Sequence, residues 1–395
     1  MKPLLPEEMA EATRLTRSGR LDDAVALIQS VLRGGRSGAK TAAASARLSS
    51  IIELPAPSAA NGAPAGPAAA PSPQTMLART LGALDLNVLD LTAPGLRGLG
   101  GRSAPAEDIA PAAGVFLAKS FSNAAGRRAY KLYVPSRHAD GSRPLVVMLH
   151  GCTQSADDFA AGTRMNFAAE EQSCFVVYPE QPSAANAQRC WNWFKGGDQQ
   201  RGSGEPAIIA GITRQIMADY AIDARRIYVA GLSAGGAAAA IMGETYPDLY
   251  AGVGVHSGLA CGAARDLPSA FAAMRGDAPV RGAAGSGDAG HTVPTIVFHG
   301  DRDTTVHPRN GAAVIARAGG DVQVLSEAQA AQRGKFTRSV RRDADGRSVL
   351  ELWEIHGAGH AWSGGSAAGS FTDPSGPDAT REMLRFFLEH ARASG

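Results

Sequence analysis

From Val115 to the C-terminus, short apolar runs alternate with longer stretches whose apolar residues recur at helical spacing. The runs are Leu145–Leu149, Phe175–Tyr178, Ile227–Ala230, Gly252–His256, Thr295–Phe298 and Leu350–Ile355. The helical stretches occupy 157–171, 206–220, 234–246, 309–318 and 378–393. Strands alternating with helices build βαβ units, so the expected class is α/β, with a mostly parallel central sheet flanked by helices. Ahead of the first run, FLAKSF and AYKLYV alternate apolar and polar positions, which predicts an antiparallel hairpin leading into the sheet. Residues 262–293 break the rhythm with Ala, Gly and charged positions. They are expected to form a mobile insertion over the carboxyl edge, where open α/β sheets bind ligands.

The remainder divides by composition. In residues 1–53, Pro6, Glu7 and Glu8 suit a first helical turn, and Leu21, Val25, Ile28 and Leu32 repeat at helical spacing until Gly34-Gly35. A lone helical hairpin cannot bury its own apolar face, so it is expected to dock on the main domain or to join two copies into a homo-oligomer. Residues 54–113 are a Pro/Ala/Gly-rich linker with a short helix near Met76–Leu81, and 114–395 form the main domain. Thirty-nine basic against 37 acidic residues give a net charge of +2, without the basic excess of a nucleic-acid binder. No apolar window is long enough for a membrane span, and the N-terminal segment lacks the apolar core of a signal peptide, so the expected compartment is the cytoplasm. The four cysteines form no C-x-x-C pair, and the acids of HGDRDTTV lack the calcium-loop pattern; neither a metal nor an organic cofactor is expected.

The sharpest motif is RIYVAGLSAGG at 226–236, a G-x-S-x-G between a β-branched strand and an Ala-rich helix. An abrupt strand-to-helix turn exposes the serine hydroxyl, and the flanking glycines give the turn room, which makes Ser233 a candidate nucleophile. The glycine spacing does not fit a dinucleotide turn, and no phosphate-loop lysine follows. Hydrolases of this kind place the acid and then the histidine downstream. The strand PTIVFHG leads into Asp301 and Asp303, of which Asp303 stands nearer the loop apex and is preferred, with Asp301 the competitor. Four histidines follow. His390 lies in the last helix, His307 is too near the acid, and His356 is strand-like. His360, in the flexible loop HGAGHAWSGG, is the expected base. An oxyanion needs two preorganised N–H donors. The amide after the nucleophile, Ala234, is one, and Cys152, in HGCTQ after Leu145–Leu149, is the other.

LHGCTQ, YPEQ, CWNWF, GLSAGG, HGDRDTTV and GAGHAWSGG occur in this order. Together they resemble the polyhydroxybutyrate (PHB) depolymerase-type esterases of the α/β-hydrolase superfamily, near feruloyl and acetylxylan esterases, over roughly residues 115–392. The resemblance implies Ser233, Asp303 and His360 as triad and the Cys152 and Ala234 amides as oxyanion hole. It also implies ester substrates: 3-hydroxybutyrate (polyhydroxyalkanoate) oligomers, polyester or similar short esters. Feruloyl or acetylxylan-type ester hydrolysis is the alternative, and a non-catalytic granule- or partner-binding role on the same fold is the alternative of another class. Secreted members carry a signal peptide and sometimes a polymer-binding domain, neither of which is visible here; extracellular work is therefore the secondary expectation. Trp191, Trp193 and Trp362 are candidate acyl-pocket walls, with burial in the core as the competing reading. Cys152 and Cys190 lie in neighbouring motifs, with both a disulfide and free thiols open.

Overall fold

A computed structural model describes residues 105–277, 293–319, 336–343 and 345–393. The expected N-terminal hairpin, most of the linker and the oligomer contact assigned to them lie outside these residues, as does the 278–292 part of the expected insertion.

The strands run as the apolar pattern predicts. A leading hairpin, β1 (Val115–Asn123) and β2 (Gly126–Val134), pairs antiparallel. Then follow β3 (Arg143–Leu149), β4 (Phe175–Pro179), β5 (Ile222–Leu232), β6 (Gly252–His256), β7 (Thr295–Gly300), β8 (Phe336–Arg342) and β9 (Ser348–Ile355). They form a nine-stranded sheet in the order β1-β2-β4-β3-β5-β6-β7-β9-β8. The strands from β4 to β9 along this order pair parallel, and β2–β4 and β8–β9 pair antiparallel. All five residues of β4 and of β6 are buried, the continuous apolar character of strands covered on both faces.

The two-residue period sorts each strand between two cores. Leu145, Val147 and Leu149 face one, and Val146 and Met148 the other. The first is covered by α4 (Gly204–Asp219) and α5 (Ala234–Thr245) through Ile208, Ile212, Ala237 and Ile241. The second is covered by α2 (Ala156–Thr163), α3 (Met165–Gln172) and α8 (Ala379–Leu388) through Phe159, Met165, Met383 and Phe387. Each such large side chain contributes about 1.5–3 kcal/mol by leaving water.

Several expectations are corrected. The single helix expected over 157–171 is two, because Arg164 takes a left-handed conformation (φ 55°, ψ 24°) between α2 and α3. The end of the expected linker carries a short helix, α1 (Ala106–Ile109), tied to the domain by Asn166 Nδ2 donating to Ile109 O at 2.9 Å. Within the expected insertion, α6 (Leu267–Met274) is a regular helix capped by Asp266. The Asn310 side-chain amide, from α7 (Arg309–Ala318), donates to Ala273 O at 2.9 Å and anchors its end. Strand β8, FTRSVRR, had no apolar alternation to mark it. The reason is Arg338, whose guanidinium turns to the buried carboxylate of Glu351 on β9 with contacts of 2.7 and 3.0 Å.

Candidate active site

β5 stops at the carboxyl edge of the sheet and α5 begins at Ala234, leaving Ser233 alone at the turn. Its backbone sits at φ 57°, ψ −118°, a region L-residues rarely occupy, at a cost of about 1–3 kcal/mol. Two hydrogen bonds hold it there: Ser233 N donates to His256 O at 2.8 Å, and Ser233 O accepts from Ala237 N at 2.9 Å. Gly235 is required at this turn, because a Cβ there would fall inside contact range of Leu149 O. The turn thus presses against the end of β3, which brings the Ser233 turn and the HGCTQ loop together.

Across the carboxyl edge, Asp303 follows β7 and His360 follows β9. Asp303 Oδ2 accepts from His360 Nδ1 at 2.6 Å. The carboxylate can only accept, so the proton sits on Nδ1, and Nε2 keeps its lone pair for a proton donor. Asp303 Oδ1 accepts the amides of Thr305 and Val306, both at 2.9 Å. Burial alone would raise the pKa of this carboxyl. The hydrogen bonds from His299 and His360 and from the Val306 amide outweigh it and hold the group well below the usual carboxylate range. No hydrogen bond joins Ser233 Oγ to His360 Nε2; in such sites this contact commonly tightens only in the substrate complex.

The competing residues are placed elsewhere. Asp301 pairs with His356 (Nδ1 to Oδ2, 3.2 Å), and both are over 40% exposed. His390 Nδ1 donates to Phe386 O at the end of α8, and His307 Nδ1 accepts from Arg309 N. The residue that sequence reasoning missed is His299. Its Nε2 donates to Val306 O at 2.8 Å and lies 3.4 Å from Asp303 Oδ2, so it backs the Asp303 carboxylate from the core side. Its place at the carboxyl end of β7 was the available signal, because ligand chemistry gathers at such ends.

The sequence profile described as Esterase PHB depolymerase matches residues 128–340, more than half of the chain. The chain belongs to this PHB depolymerase esterase family. Poly(3-hydroxyalkanoate) depolymerase C of Paucimonas lemoignei is 33% identical over 237 residues, covering 58% of this chain and 57% of the relative. Feruloyl esterase B of Neurospora crassa is 33% identical over 141 residues, covering 35% of this chain and 46% of the relative. An acetyl xylan esterase structure from Aspergillus awamori superposes with a TM-score of 0.57 at 20% identity, over 70% of this chain and 100% of that one, which establishes the α/β-hydrolase fold. The chain spans about half the length of the curated PHB depolymerases it matches.

In this family member the HGCTQ loop is braced from three sides. Gly151 N donates to Gln154 Oε1 at 2.9 Å, Trp191 Nε1 donates to His150 O at 3.1 Å, and Cys152 is disulfide-bonded to Cys190. The Cys152 amide has no acceptor among the described residues, and the Ala234 amide is the first of its helix, where intrahelical acceptors are lacking. Both can serve an anion, aided by the positive end of α5. Beneath the CWNW segment lies Glu205, 5% exposed. It accepts from Asn192 N and Asn192 Nδ2, each at 2.7 Å, and from Gln181 Nε2. Burial pushes its carboxyl up, as does nearby Asp198.

The tryptophans do not fit the acyl-wall expectation. Trp191 and Trp362 are essentially inaccessible at 0% and 1%, and Trp193 is 7% exposed, packed edge-to-face on Phe194. Their indole N–H groups or rings are spent on internal partners: Trp191 on His150 O, Trp362 on Thr380 Oγ1 at 3.0 Å. Among the described residues no group of metal-ligating side chains is found.

Proposed function

We propose that this chain is a serine carboxylic-ester hydrolase that works through an acyl-enzyme on 3-hydroxyalkanoate oligomers, polyester or similar short esters. The observation that carries this reading is the 2.6 Å Asp303–His360 hydrogen bond, formed at the same carboxyl edge of the sheet as a strained serine at a strand–helix turn. His360 Nε2 takes the Ser233 Oγ proton as Oγ attacks the ester carbonyl. The developing oxyanion is received by the Cys152 and Ala234 amides. The C–O bond to the alcohol breaks, and His360 returns the proton to that leaving group. Water, deprotonated by the same nitrogen, then attacks the acyl carbon, the acyl–Oγ bond breaks, and His360 returns that proton to Ser233 Oγ as the free acid leaves. Asp303 stays ionised throughout and steadies the imidazolium.

The polyester preference is supported by relatives named poly(3-hydroxyalkanoate) and poly(3-hydroxybutyrate) depolymerases. The second reading, feruloyl or acetylxylan ester hydrolysis, is supported by relatives bearing those names. Initial rates of wild type and Ser233→Ala on p-nitrophenyl acetate, butyrate and octanoate, a 3-hydroxybutyrate oligomer and methyl ferulate separate them. Oligomer cleavage lost in the variant supports the first reading, and preference for ferulate the second. Absence of any Ser233-dependent hydrolysis would return the chain to a non-catalytic binding role.

No described helix is long and apolar enough to cross a membrane. The Cys152–Cys190 bridge supports work in an oxidising compartment, against the cytoplasm expected from the sequence.

A further inference from the structure

The loop that carries His360 is tied down at both ends. Upstream, Ala358 O accepts from Arg302 N at 3.0 Å, which fixes the base loop to the acid loop. Downstream, the tie runs to the strand end beside the nucleophile. Ser363 N donates to His256 Nε2 at 3.0 Å. The His256 ring lies between two aromatic planes, with centroids 5.1 Å from Trp362 at 26° and 5.8 Å from Phe298 at 12°. Because Nε2 accepts from a backbone amide, the ring proton belongs on Nδ1, which faces Ser257 Oγ at 3.2 Å. His256 is fully buried, and burial lowers its pKa to about 3, with the nearby imidazoles of His299 and His360 adding to the effect, so Nε2 keeps its lone pair at working pH. The same residue, through its carbonyl, accepts the Ser233 N–H at 2.8 Å.

We propose that His256 is a positioning residue that sets the distance and angle between Ser233 and His360, its carbonyl holding the nucleophile turn and its imidazole holding the segment that follows the base. The inference rests on the esterase reading above. It assigns His256 no contact with substrate and no proton transfer. The backbone half of the link survives any substitution at 256; only the imidazole half is open to mutation. Losing it removes the tie between Ser363, three residues past His360, and the nucleophile strand, leaving that segment to Trp362 N on Phe371 O, Trp362 Nε1 on Thr380 Oγ1 and Ser363 Oγ on Pro377 O, while the acid loop still holds Ala358. The base loop then keeps its other anchors but loses the one that refers it to the strand beside Ser233. A displacement of about 1 Å costs up to about 100-fold in rate without touching substrate binding.

Two neutral replacements separate the acceptor from mere bulk. Glutamine can present its side-chain oxygen near the Nε2 position, and asparagine only near Nδ1. With p-nitrophenyl butyrate, His256→Asn is expected to lower kcat about 10- to 100-fold with KM within about twofold. His256→Gln is expected to recover most of that kcat at the same KM. Trp362→Phe thins the same stack from the other side and is expected to lower kcat with KM held, which gives a second reading should the Asn variant fail to fold. Equal kcat for the Asn and Gln variants, or a loss that appears in KM, overturns the positioning role alone. A wild-type chain without Ser233-dependent hydrolysis overturns the esterase reading itself.

Discussion

Asp301 Oδ2 lies 3.2 Å from His356 Nδ1, on the exposed side of the same loops that join Asp303 to His360. Two Asp–His pairs therefore run in parallel, one in water and one buried. An exposed pair contributes little, whereas a buried one can orient a tautomer. Asp301→Asn and His356→Ala are expected to change kcat by less than about threefold. Asp303→Asn should lower it by about 1,000- to 10,000-fold, as loss of the triad acid does elsewhere. Steady-state rates on one p-nitrophenyl ester suffice, and comparable losses from both pairs would reverse the assignment.

The depressed Asp303 carboxyl also ties stability to pH. Its ordinary value is 3.8, and the folded value lies below that. The unfolded chain therefore binds its proton first as pH falls, and the stabilisation is complete above pH 3.8 and lost as pH drops through the folded value. Thermal melts of wild type and Asp303→Asn should differ most near neutral pH and converge below about pH 4. A gap that widens on acidification contradicts the proposed ionisation state.

Of the chain's four cysteines, Cys174 and Cys261 are free. A thiol titration of the denatured, unreduced protein should find two thiols, and four after reduction. Reduction opens a 38-residue loop, worth about 3–4 kcal/mol by chain entropy. It also loosens the Cys152 amide, so kcat should fall more than KM changes. Four thiols before reduction would remove the bridge.

Trp191 and Trp362 act through packing. Replacing either with Ala should destabilise the fold by about 3–5 kcal/mol in a denaturant titration. The order of preference among acetyl, butyryl and octanoyl esters should stay as in wild type, and a reordered chain-length profile would restore the pocket role.

The sequence discloses the parts of this fold whose local pattern and tertiary role coincide. Gly252–His256 is continuous and apolar because it is covered on both faces, so its limits are visible in the text of the chain. Ser233 is legible because a strand, two glycines and a helix leave the turn one conformation. Strand β8 is illegible because its inward partner is a charge, Arg338 to Glu351, and no alternation survives. His256 escapes notice for a different reason: its partner Ser363 lies over 100 residues away, joined only by folding, whereas His299 stands four residues before Asp303 and reads as one more residue of an apolar strand. Tryptophan type alone does not distinguish a pocket wall from a core beam, since both demand a large flat ring.

The left-handed backbone of Ser233 carries a lasting consequence for how this chain tolerates heat. Glycine would relax that turn, and relative to alanine at the same position it should return about 1 kcal/mol of folding stability. The most direct gain in robustness at the elbow is thus closed to any lineage that keeps its hydroxyl: selection for a hardier protein must look everywhere except the turn to which the proposed chemistry is assigned.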